Sequence, residues 1–127
     1  MNYETFETKV AQRAGVPADR ARALVRATLL TLGERLTRGE AHDLASQLPE
    51  PAKEWLVSPT PEAERFGVDE FINRVAMRAG AAREEAEAGV RAVFSVLRLA
   101  VTTGEWRDAM SQLPKEFEEL AKEPRRA

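Results

Sequence analysis

Three charged residues recur together. Arg26, Glu40 and Asp43 in the first half of the chain return as Arg91, Glu105 and Asp108 in the second. An arginine fork near carboxylates has two uses: it closes a planar ion pair, or it stays free for an anionic ligand. A carboxylate can also work as a general acid or base, given an orienting partner and a pocket. Glu40 and Asp43 fall in the first turn of a short helix, where negative charge already has a structural role. The favoured reading is therefore an ion pair within each half: Arg26 with Asp43 or Glu40, and Arg91 with Asp108 or Glu105. An anion site on the same residues is the alternative.

The other reactive side chains suggest less. His42 is the only histidine and the chain has no cysteine, so a metal site lacks donors. His42 reads as solvated, and no catalytic or metal-binding residue is assigned. Ser46 and Ser111 have no base at a fixed spacing. With Gln47 and Gln112, they read instead as groups that satisfy free backbone atoms at a helix end. The glycines Gly33, Gly39 and Gly67 are isolated and form no phosphate loop. No cofactor is implied, and the reading leans away from an enzyme.

Helices must position these residues. Phe6, Val10 and Ala14 share one face of a helix over about Tyr3–Ala14. Gly15 is placed to end it in the left-handed conformation. A second helix is expected from Ala18 to about Thr37, with one apolar stripe that leaves Thr31, Glu34 and Arg35 to solvent. A third is expected after Gly39, and a fourth with Pro49 at its first position. The same order recurs beyond Asp69, where the segment Val93–Val101 is apolar on nearly every side. A helix of that kind is buried all round, so this one is expected to be the centre of the molecule. If Val96 and Leu99 were instead exposed, they would mark an association surface.

The recurrence is an internal repeat. Phe6 and Phe71 stand 65 residues apart, and the same offset runs without a gap from Tyr3 to Leu56. Arg13-Ala-Gly15 meets Arg78-Ala-Gly80, and Ser46-Gln-Leu-Pro49 meets Ser111-Gln-Leu-Pro114. A unit of about 55 residues was duplicated. The expected organisation is helical repeat 1 over 1–57, a Pro-rich linker over 58–67, helical repeat 2 over 68–121 and a flexible tail over 122–127. The fold class is all-α: two tandem four-helix repeats packed into one compact helical domain.

Composition limits the partners. The net charge is −2, and 31% of the residues are charged. No domain is basic. The two short helices that would serve as recognition helices of a helix-turn-helix are acidic or small in character, so nucleic-acid binding is disfavoured. No apolar run is long enough to span a bilayer. The start of the chain does not read as a signal peptide, and the missing cysteines suit a reducing compartment, so a cytoplasmic location is expected.

The doubled patterns Phe-x-x-x-Val-Ala-x-Arg-Ala-Gly and Gly-Glu-x-x-Asp-x-x-Ser-Gln-Leu-Pro resemble domain-of-unknown-function family 2267. The resemblance implies a compact helical protein of two repeats, found in bacteria and archaea, with no established activity and no defined catalytic residues. By elimination, the expected role is a protein-interaction or structural module, acting as a monomer or homodimer with an unknown protein partner. The alternative is small-molecule or anion binding in a pocket between the repeats.

Overall fold

The computed structural model describes residues 1–122. The expected tail, apart from Lys122, lies outside the described residues.

Helix α1 spans Tyr3–Ala14. It opens where the Asn2 side chain accepts a hydrogen bond from the Thr5 amide at 2.8 Å, and it closes at Gly15 with φ 70°. Helix α5, Val68–Ala79, ends the same way at Gly80, φ 61°. No Cβ is tolerated cheaply at positive φ, which is why both stops are glycine. Helix α2 spans Ala18–Arg35 and α6 spans Arg83–Ala100. Both end at an extended residue, Leu36 or Val101, one step before a capping threonine.

The next helices start earlier than expected. Helix α3, Arg38–Ala45, and α7, Thr103–Ser111, take Gly39 and Gly104 into their first turns. Thr37 and Thr102 cap them by accepting from the amides of Glu40 (3.3 Å) and Glu105 (3.2 Å). A hydroxyl placed to satisfy free N–H groups outranks glycine as the boundary signal. Helix α4 is one turn, Ala52–Trp55, preceded by Pro51 rather than opened by Pro49. The last element is a 3-10 helix over Lys115–Ala121, with Pro114 before it. Among the described residues every regular element is helical.

The core explains the order of packing. Helix α1 lies more extensively on α6 than on its neighbour α2, and α5 lies more extensively on α2 than on α6. Helices α2 and α6 also touch each other, and α3 meets α7. At the α2–α6 crossing a Cβ on Gly89 would stand 2.7 Å from Leu24 Cδ2, so the backbone of α6 comes directly against a leucine. Phe71, Phe94 and Phe117 form a fully buried aromatic group, with Phe71 edge-on to both others.

Two expectations about burial are corrected. Thr31 and Arg35, expected in solvent, are buried. Helix α5 and the segment before it cover that side of α2: Arg78 Nη1 of α5 donates to Thr31 Oγ1 at 2.8 Å, and Arg35 Nε donates to the carbonyl of Phe66 in the preceding segment at 2.9 Å. Helix α2 is therefore as central as α6. Val96 is fully buried while Leu99 is 56% exposed, so these two residues do not form one patch.

The linker is stitched down. The Glu64 amide donates to Glu34 O at 2.9 Å, the Arg38 amide to Pro61 O at 3.2 Å, and Ser58 Oγ to Leu36 O at 3.4 Å. Each bond satisfies a carbonyl or amide at the end of α2 or the start of α3, which a free linker would leave to water.

Candidate functional site

The repeated charges do not assemble as expected. Arg26 points outward from α2 and is exposed, with no ion pair among the described residues. Arg91 pairs along its own helix with Glu87 at 3.5 Å, and its Nη1 donates to Glu119 O at 3.4 Å. Neither reaches the acidic corner. The reason is distance along the helix. Nine residues separate Arg26 from Arg35, about 14 Å at 1.5 Å per residue. The eight-residue α3 turns toward α7 instead of folding back over α2. Arg91 lines an open groove of about 470 Å³ with Asp69, Glu116 and Glu119, a lining with more carboxylates than cations.

The four carboxylates lie at the corner where α3 meets α7. Glu40 and Glu105 face each other within hydrogen-bonding reach across that contact. Glu40 Oε2 and Glu105 Oε1 are both shut off from solvent without a hydrogen-bond partner among the described residues. Burial pushes the Glu40 carboxyl up to about 8, and the facing Glu105 carboxyl adds to the shift, as do the charges of Asp43 and Asp108. A carboxyl this close to a second one ionises less readily, so Glu40 holds its proton more tightly than an ordinary glutamate. Asp43 and Asp108 stand on the exposed rim, and their carbonyls accept from Ser46 Oγ and Ser111 Oγ, each at 2.6 Å. His42 is exposed beside them. Among the described residues no group of three or more His, Cys, Asp or Glu could hold a metal ion.

Glutamines frame the carboxyl pair. Gln112 Oε1 accepts from the Thr37 amide at 3.0 Å, and Gln112 Nε2 donates to Thr37 Oγ1 at 3.0 Å. In return Gln47 Oε1 accepts from the Thr102 amide at 2.8 Å, and its Nε2 donates to Thr102 Oγ1 at 3.4 Å. The glutamines do satisfy free backbone groups, but those of the opposite half. The Ser-Gln-Leu-Pro run is therefore a strap between halves.

Other contacts across the halves were invisible in the sequence. Arg20 Nε bonds Glu85 Oε1 at 2.9 Å. Arg13 Nη1 donates to Ser95 Oγ at 2.8 Å, much as Arg78 donates to Thr31. Glu34 receives both Arg78 (2.7 Å) and Arg74 (3.2 Å), and the hydrogen bond from Arg78 leads in holding its carboxyl below the usual range. Residue 99, at the same offset from Glu34, is leucine, which breaks the pattern in the second half. Only Arg20 and Glu85 carried a signal, the 65-residue offset of the recurring sequence.

Fold and corner together define an all-helical protein whose two halves are joined by reciprocal caps and a partly buried carboxyl pair. Residues 3–120 match the family described as "Uncharacterized conserved protein (DUF2267)", and the chain belongs to it. No curated protein matches the chain. No helix among the described residues is long and apolar enough to cross a membrane.

Proposed function

We propose that this protein is a non-enzymatic helical module that recognises another protein with its outer surface. We also infer that its halves, 1–57 and 68–121, are tandem repeats related by an approximate twofold axis. Residues on such an axis meet their own counterparts, as Arg20 meets Glu85 and Glu40 meets Glu105. The observation that carries the functional reading is the seam between the halves. Leu24, Val25, Leu29, Val90, Val93 and Phe94 are all fully buried, and Gly89 has no room for even a methyl group beside Leu24. This close packing supports recognition at the surface rather than in a pocket between the halves. An anion pocket shared by Arg26 and Arg91 has no support, since Arg26 stands outside and Arg91 sits among carboxylates. Recognition is thus left to surface residues such as Met77 and Leu99, large apolar side chains that are 81% and 56% exposed. The cytoplasm remains the proposed location.

Native mass spectrometry of protein from its own cell, combined with crosslinking from a photoreactive residue at Leu99 or Met77, tests this reading. A discrete protein adduct at one of these positions, absent from a probe at exposed Lys53, is expected. A stoichiometric small molecule retained by the purified chain would overturn it.

A further inference from the structure

We propose that Glu40 and Glu105 form a proton-dependent clasp between α3 and α7, closed while the two carboxyls share one proton and released when both are ionised. Geometry carries this. The two carboxyls belong to different halves, face each other where α3 packs on α7, and each keeps one oxygen dry and without a partner among the described residues. A single proton held between those oxygens satisfies both. Without it, two like charges lie together in a partly desolvated contact.

No cation bonds either carboxyl among the described residues: Arg38 of α3 is exposed and donates to the Pro59 carbonyl at 3.2 Å, and Arg98 of α6 and Lys115 of the 3-10 helix, elements that pack on α7, are exposed. Helix α7 brings Glu105 and Asp108 toward Glu40, and α3 itself brings Asp43, all acidic. The cation of α7, Arg107, is exposed and bonds to neither carboxyl. Helix α2 ends in Glu34, held by Arg78 and Arg74, and Arg35, committed to the Phe66 carbonyl. Helix α4 offers only Lys53 and Glu54, both exposed. His42 of α3 is exposed and makes no bond to the pair among the described residues.

The sign follows from proton binding. An unfolded chain loses this proton near the ordinary value of 4.5, whereas the folded corner keeps it to about 8. Between these limits the native state binds more protons than the unfolded state. Stability is full below the window, falls as pH rises through it, and levels off above it. An ordinary carboxyl titrates below pH 5.5, so the slope measured above that value reports on a raised one.

Thermal unfolding of the intact protein between pH 5.5 and 8.5 tests the clasp. The wild type is expected to lose roughly 5 °C or more in Tm across this range. Glu40→Gln, whose amide donates permanently to Glu105, is expected to flatten the slope, and His42→Gln is expected to leave it intact. A flat wild-type profile, or a Glu40→Gln profile as steep as the wild type's, would overturn the proposal. Carbon-13 titration of the glutamate carboxyls gives a readout that needs no variant. One carboxyl of the pair titrating near 8, with hydrogen-exchange protection of the Thr37 and Thr102 amides falling in the same range, is expected. Both carboxyls titrating near 4.5 would refute it.

Discussion

Arg20 and Glu85 occupy the same place in their respective halves, 65 residues apart, and they bond to each other, Nε to Oε1, at 2.9 Å. The pair is about a third exposed on the arginine side, 32%, and 28% on the glutamate side, so water screens it. A double-mutant cycle with Arg20→Ala and Glu85→Ala is expected to give a small favourable coupling that weakens as salt is added. A coupling of zero would mean that the pair only decorates the α2–α6 crossing.

The glycines of α2 and α3 should respond oppositely to alanine. A Cβ at Gly33 would come 2.2 Å from the Val57 carbonyl oxygen, a backbone atom, while at Gly39 nothing stands within 4 Å. Gly39→Ala should stabilise by about 0.5–1 kcal/mol through helix propensity alone. Gly33→Ala should destabilise by roughly 2 kcal/mol despite the same gain, because the backbone after α4 must move. Urea denaturation of both variants checks the contrast.

Phe94 is fully buried and packs edge-on against Phe71 and Trp106. Phe94→Ala is expected to cost about 3–5 kcal/mol. Leu29, in the same part of α2, is also fully buried. Its truncation to alanine should cost about 2–5 kcal/mol, since α2 is as enclosed as α6. Equilibrium unfolding with coincident probes decides both values.

The strap predicts an effect in the opposite half. Gln112→Ala removes the acceptor of the Thr37 amide and should cost about 0.5–1.5 kcal/mol. Hydrogen exchange should accelerate at Thr37 while Thr102 stays protected, and Gln47→Ala should give the reverse. Acceleration only near residue 112 would show that the glutamine acts locally.

What the sequence could show depended on distance along the chain. Gly15 and Gly80 were legible as helix stops because the left-handed cap is a local demand. The all-helical class was legible for the same reason: a 3.6-residue stripe belongs to its own helix. The starts of α3 and α7 were misplaced because two local signals competed and threonine capping outweighed glycine. Pairings were the least legible. Arg26, Glu40 and Asp43 recur together, which signals that they matter but leaves open whether each set closes on itself or on its counterpart. Glu40 faces its counterpart Glu105, Asp43 and Asp108 stay on the exposed rim, and the arginines take no part. Thr31 looked like a solvent residue because the helix that buries it comes from the other half.

That exchange of helices sets the order in which the chain can become itself. During synthesis α1 emerges well before α6, yet the larger share of its packing is with α6, which is complete only at Ala100. Helix α2 likewise waits for α5. The first half leaves the ribosome with apolar faces that its own residues cannot cover, and it remains open until most of the chain has followed. Assembly is then a single late event.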